Sequence, residues 1–232
     1  MDRKEQFDRF CTSILPADVS ARCRSEFAEH ARYTAIKADG RAFQGEGDDQ
    51  IVFIATGSTK LVAQASQGRE QIIAFYFADD LVSVPSSFAH IYSLHALEDC
   101  ELVHYSESDF FELASNEAGA IYSVVRRTLR SLGRCHEKTI VLGRKSAQER
   151  VASFLLAMAE RIGAYDNARC SLSLPMSRRE IADNLGMTIE TVSRQLTELK
   201  AMGMVDTIGR SDVTLLDLSG LNVCAGHIIR NS

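Results

Sequence analysis

The 232-residue chain contains no C-x-x-C pair, and its six cysteines, at positions 11, 23, 100, 135, 170 and 224, follow no zinc-finger or zinc-ribbon spacing. Its six histidines are equally scattered, and the nearest pair, His90 and His95, is not spaced as two ligands on one helix face. No metal site and no bound cofactor is therefore expected, and the thiols read as small hydrophobes. The chain also lacks a glycine-rich phosphate loop and a nucleophile-elbow motif, so it is not expected to be an enzyme. No apolar run approaches the length of a membrane span. Residues 1–25 carry Asp2, Arg3, Lys4, Glu5, Asp8 and Arg9 in place of a signal-peptide core, so a cytoplasmic protein without a membrane partner is expected. Nor is there an excess of basic charge: the formal net charge is −5, which confines any attraction to nucleic acid to a local patch.

What is present is enough apolar material, 45% of residues, for two modest domains. The most informative stretch is SRREIADNLGMTIETVSRQLTELK, residues 177–200, which reads as two short helices joined by a turn with one glycine. Ser177 and Glu180 form a capping-box pair at the start of the first helix. Gly186 supplies the positive φ needed to leave that helix, and Thr188 caps the second, which begins near Ile189. At 3.6 residues per turn Ile181, Ala182 and Leu185 face inward in the first helix, and Val192, Leu196 and Leu199 do so in the second. Glu190 and Arg194 then point outward. In a DNA-reading helix-turn-helix, the second helix presents its N-terminal residues to base edges in the major groove. Arg194 suits guanine O6 and N7, Glu190 a cytosine amino group, Ser193 either kind of edge, and Ile189 a thymine methyl. The alternative is that Glu190 and Arg194 form a solvated i,i+4 ion pair.

Before this motif the chain divides into three parts. From Arg32 to Ser106, runs such as IVFIA (51–55), KLVAQA (60–65), QIIAFYF (71–77) and ELVHY (101–105) alternate with turn segments at Gly40, 45–49, 57–58 and 67–69. This predicts an antiparallel β-roll or small barrel. After Phe110 the pattern turns helical, and residues 116–142 hold no proline and two glycines. Ile121, Val125, Thr128, Leu132, Cys135, Thr139 and Leu142 follow alternating steps of four and three, the seam of a helix that pairs with a twin. The alternative is packing on the chain's own β-domain, but Arg126, Arg127, Arg130, Arg134 and Lys138 leave only a narrow apolar strip. Residues 145–162 predict a further helix with Val151, Phe154, Leu155, Met158 and Ile162 inward. Beyond Gly203, MVDTIGRSDVTLLD reads as a hairpin turning at 209–211, a wing with Arg210 at its tip, where it meets either a phosphate or only solvent.

The fold class expected is α+β, with a β-roll and N-terminal helical segment over 1–115, a dimerisation helix over 116–144 and a winged helix-turn-helix over 145–232. This order of parts resembles the Crp/Fnr family of bacterial transcription regulators. In the roll the resemblance rests on GRAFQGEGDDQIVFIATGSTKL and GREQIIAFYFADDLV. In the DNA-binding part it rests on IETVSR, similar to the E-x-x-S-R signature of the Fnr and FixK branch. The resemblance implies a homodimer on a double-stranded TTGA…TCAA palindrome, read by Glu190, Ser193 and Arg194. Ser177, Arg179, Thr188, Thr191 and Arg210 would lie near the sugar-phosphate backbone, with RNA polymerase as a further partner. Cyclic-nucleotide members bind phosphate through glycine-glutamate and arginine-serine pairs, whereas DDLVSVPSSFAHIYSLHALEDC holds neither, and Asp79 and Asp80 would repel a phosphate. Cys11 and Cys23, with eleven residues between them and no third cysteine nearby, do not form the N-terminal cluster of iron–sulfur members. The FixK-like group matches best, implying gene control of low-oxygen respiration or nitrogen metabolism. Alternatives are a haem, nitric-oxide or small-effector sensor of the same family, with His90, His95, His104 or the cysteines as candidates, and a cyclic-nucleotide-binding module without DNA binding.

Overall fold

A computed structural model describes residues 1–44, 47–64, 68–86, 89–167 and 169–226. The chain forms two compact units, Met1–Gly133 and Arg134–Ser232. The first opens with two capped helices, α1 (Arg3–Ile14) and α2 (Ala21–His30). Among the described residues eight strands follow: β1 (Arg32–Ile36), β2 (Arg41–Gln44), β3 (Gln50–Thr56), β4 (Ser58–Gln64), β5 (Glu70–Phe77), β6 (Leu81–Val84), β7 (Ile91–Ala96) and β8 (Cys100–Ser106). They build two antiparallel sheets of four, ordered β1-β8-β3-β6 and β2-β7-β4-β5. This is the expected roll. Four of its strands correspond to the four runs read from the sequence, while β1, β2, β6 and β7 complete the sheets. Ala65 of the second run, and Gly45, Glu46 and Gln67 of the expected turns, lie outside the described residues.

The continuous apolar run of β3 has a physical reason: both of its faces are covered. Val52 and Ile54 point between the sheets and pack with Leu61, Leu94 and Leu102. Ile51, Phe53 and Ala55 point outward with Val103 and Tyr105 of β8, beneath a layer of helices. That layer contributes Phe10 from α1 and Phe27 from α2, together with Phe110 from α3 (Glu107–Ser115) and Val124 from α4 (Ala118–Arg144). Phe10 lies 5.6 Å from the Phe53 ring and 5.4 Å from Tyr105, and Phe27 lies 5.7 Å from Phe110. Such aromatic pairs add about 0.5–1.5 kcal/mol each beyond their buried area. Gly57 is required at the β3–β4 turn, where φ is +84° and a Cβ would stand 2.5 Å from the Asp99 carbonyl oxygen.

Asp79 is not placed to repel a phosphate. It accepts a bidentate bond from Arg9 (2.7 and 2.8 Å) and a third from Ser13 (2.9 Å), so its charge is spent on α1. The Arg9 bonds hold its carboxyl below the ordinary value. Asp80 accepts from the Phe77 N–H. With Asp79 paired to Arg9, what speaks against a bound cyclic nucleotide is the lack of the glycine-glutamate and arginine-serine pairs.

Helix α4 is continuous from Ala118 to Arg144, with residues 118–133 in the first unit and 134–144 in the second. The second unit continues with α5 (Ala147–Ile162), β9 (Ala164–Asp166), β10 (Arg169–Ser173), α6 (Arg178–Leu185), α7 (Ile189–Ala201), β11 (Val205–Ile208), β12 (Asp212–Leu215) and α8 (Leu218–Cys224). Its sheet has the order β11-β12-β10-β9. Val151, Phe154, Leu155 and Met158 of α5 are buried as expected, and Ile162 is half-buried.

Candidate DNA-binding surface

The two helices of the motif are set by local bonds. Ser177 Oγ accepts from the Glu180 N–H at 3.3 Å, and Glu180 Oε2 accepts from the Ser177 N–H at 2.7 Å. Gly186 adopts φ 62° and ψ 44°, and the Met187 N–H returns to the Ala182 carbonyl at 2.9 Å, closing α6. Thr188 Oγ1 then accepts from the Thr191 N–H at 3.2 Å and opens α7. Ile181, Ala182 and Leu185 are buried in α6, as are Val192, Leu196 and Leu199 in α7.

With that face buried, the opposite face of α7 is available. Glu190 and Arg194 are exposed, and Ile189 and Ser193 are half-buried at its margin. The ion pair considered between Glu190 and Arg194 is not the one formed. Arg194 Nε lies 3.8 Å from Glu198 Oε1, one turn further on. The Glu190 carboxylate accepts from its own backbone N–H and from Thr188, which hold it below its ordinary pKa. The Glu190 carboxylate thus stays ionised near neutral pH, and its charge is not met by Arg194.

The other candidate residues lie in exposed or half-exposed positions. Ser177 and Arg179 are exposed at the start of α6, and Thr188 and half-buried Thr191 open α7. Arg210 is exposed in the turn between β11 and β12, which follows Gly209 at φ +65°. The wing is pinned by the Leu174 N–H donating to the Ser211 carbonyl at 2.9 Å.

Two arginines that sequence reasoning passed over hold this surface in place. Arg150 of α5 donates to the carbonyls of Leu142, Lys145 and Leu185 at 2.7, 3.0 and 3.1 Å, tying the ends of α4 and α6 to the start of α5. Arg178 Nη1 reaches Ser193 Oγ at 3.5 Å, linking the start of α6 to the outward face of α7. Neither has a local signature, since the partners lie up to 35 residues away.

Residues 149–224 match the family described as the Crp-like helix-turn-helix domain, and residues 42–117 match the cyclic nucleotide-binding domain. The nitrogen fixation regulation protein FixK of Azorhizobium caulinodans is 36% identical over 212 residues, covering 89% of this chain and 84% of its own. The chain belongs to the Crp/Fnr family of transcription regulators. The transcriptional activator protein FnrL of Cereibacter sphaeroides is 31% identical, with 90% of this chain and 88% of its own covered. The solved structure of FixK2 from Bradyrhizobium japonicum aligns with a TM-score of 0.72 at 27% identity, covering 84% of this chain and 96% of that one. As a member of this family the chain is a DNA-binding regulator with a helix-turn-helix, not an enzyme.

The residues considered for a sensor are differently placed. His104 is buried, with Nε2 3.1 Å from Thr34 Oγ1 and Nδ1 3.2 Å from Gln50 Oε1, so both ring nitrogens are engaged. His95 Nε2 lies 2.8 Å from Ser93 Oγ, and His90 is exposed. Burial pushes the thiols of Cys11, Cys23 and Cys100 up to about 11, which keeps them protonated and unreactive. Among the described residues no three His, Cys, Asp or Glu side chains gather as a metal site, and no helix is long and apolar enough to cross a membrane.

Proposed function

We propose that the protein binds, as a homodimer, a palindrome of the TTGA…TCAA kind and regulates transcription there, with RNA polymerase as its further partner. The observation that carries this reading is the outward face of α7, where Glu190, Ser193 and Arg194 stand free of the apolar stripe on a helix capped at Thr188. Arg194 donates in bidentate fashion to a guanine, Glu190 accepts from a cytosine amino group, and Ile189 and Ser193 complete the half-site. Ser177, Arg179, Thr188, Thr191 and Arg210 hold the sugar-phosphate backbone and fix the register of reading. The likeness to proteins named for nitrogen fixation regulation supports a role in nitrogen metabolism or low-oxygen gene control.

Base readers and backbone holders fail differently. Arg194→Ala loses about 1–3 kcal/mol of discrimination, so it binds the palindrome roughly 10- to 100-fold more weakly and tolerates a change at its one base pair. Arg210→Ala weakens all sequences alike and makes log affinity against log salt shallower by about one unit per half-site. Gel-shift titrations against the palindrome and its single-base variants at several salt concentrations measure both. Full base preference retained by Arg194→Ala would overturn the assignment of α7 as the reader.

A further inference from the structure

Outside the roll, the first unit carries a groove of about 390 Å³ between the α1–α2 connection and the first turns of α4. That volume falls within the range of about 300–1,000 Å³ usual for small-molecule sites. Its walls are fixed. Ser123 Oγ donates to the Ile14 carbonyl at 2.7 Å, Glu117 accepts from the Ser20 N–H and hydroxyl at 2.9 and 2.6 Å, and Arg127 donates to the Ser13 carbonyl. Gly119 lets the two sides close up, since a Cβ there would stand 3.1 Å from Pro16 Cγ.

The charge inside is one-sided. Arg126, Arg127 and Arg130 line the groove against a single carboxylate, Asp18. Arg127 is partly accounted for, because it donates to the Ser13 carbonyl in the last turn of α1 and feels Asp79 and Asp80. Arg126 rests over the Tyr122 ring at 5.8 Å, and neither Arg126 nor Arg130 forms an ion pair among the described residues. Burial, and after it the charge of Arg130, pushes the Arg127 guanidinium below its ordinary value. Three like charges gathered in a walled groove repel one another, and planar guanidinium forks match phosphate oxygens in bidentate geometry.

We propose that this groove binds a small phosphate-bearing anion carrying two adjacent phosphate groups, gripped by Arg126, Arg130 and the remaining N–H groups of Arg127. The site lies outside the two-sheet interior, and it does not depend on the DNA reading proposed above. Its ligand would relieve the crowding of positive charge along α4.

Calorimetric titration of the full chain with inorganic pyrophosphate at low ionic strength tests it. The expected result is saturable binding of one anion per chain, weakened about tenfold or more by either Arg126→Ala or Arg130→Ala. Both positions are on the surface, and unchanged thermal melting of the variants verifies that the fold is retained. The α7 and wing arginines offer a competing cationic surface, so Arg194→Ala and Arg210→Ala serve as controls expected to leave binding intact. Absence of saturable binding would overturn the proposal. So would a loss in the control variants as large as that in Arg130→Ala, which would move the anion to the DNA-binding unit.

Discussion

His104 shows how a single side chain can be excluded from one role and given another. Its ring is enclosed by β1, β3 and β8, with Thr34 and Gln50 on its two nitrogens and the Phe43 ring 4.8 Å away edge-on. Burial, with a smaller contribution from the Arg32 charge, lowers its pKa to about 4. The unfolded chain takes up the proton near the ordinary value of about 6.5, whereas the folded chain resists it until about pH 4. The stability tied to the neutral ring is therefore complete above about pH 6.5 and is lost as pH falls toward 4, on the order of 2–3 kcal/mol in all. Urea denaturation of the wild type should show a falling midpoint from pH 7 to pH 5, and His104→Gln should flatten that fall. Equal slopes in the two proteins would assign the acid sensitivity to other groups, such as His95, whose pKa burial also lowers.

At the scale of elements, the helix-turn-helix was legible because its determinants are local. The bonds of Ser177, Gly186 and Thr188 connect residues within a few positions of each other, and each residue type has one favoured use there. Gly186→Ala tests the turn. At φ 62° an alanine is strained, but its Cβ would meet nothing nearer than 3.9 Å, so the cost is backbone strain alone, about 1–2 kcal/mol. Chemical denaturation should show that loss with the helices otherwise intact, and an unchanged midpoint would mean that α6 and α7 do not need a left-handed residue between them. Strands β3, β5 and β8 were legible from their long apolar runs. Strands β2 and β6 have only four residues each, and β7 presents Ser93 and His95 on one face, so none of the three carried a run to see. The register shifts between Arg41 and Phe43 and between Leu61 and Val62 depend on partner strands far along the chain. The Arg9–Asp79 clasp spans 70 residues, and the arginine groove joins α1 to α4. Contacts of that kind have no sequence period to betray them.

For the whole molecule, the decisive element is α4. Of the seven positions read as a seam, Ile121 packs against the core of the first unit, and Thr128 Oγ1 donates to the Val124 carbonyl at 3.1 Å. Val125 and Leu132 remain 47% and 49% exposed, and Cys135 and Thr139 are also exposed, while Leu142 is half-buried. The large apolar groups left in solvent also include Tyr122, Leu129 and Ile140, at 64%, 61% and 50%. Tyr122, Val125, Leu129 and Leu132 continue the alternation of three and four, so the stripe is turned slightly from the one read in sequence but keeps its period. An apolar stripe of this length is costly in water and fits a second copy of the same helix. Leu129→Glu isolates that role, because the side chain is exposed in the single chain and its loss should leave the monomer fold unchanged. In a paired helix the same carboxylate would be buried unpaired, at a cost of several kcal/mol in order of magnitude. Light scattering should therefore report a monomer for Leu129→Glu and a dimer for the wild type. Affinity for the proposed palindrome should fall as dimerisation is lost, since in that proposed complex each copy supplies one half-site about 34–36 Å from the other. Cys135, exposed beside the stripe, reports orientation: only a parallel pair would bring its two copies near the roughly 7 Å that a disulfide requires. Oxidised wild type should then show a cross-linked band on non-reducing electrophoresis that Cys135→Ser lacks. A dimer that persists in Leu129→Glu and gives no Cys135-dependent band would have to be built on a surface other than α4.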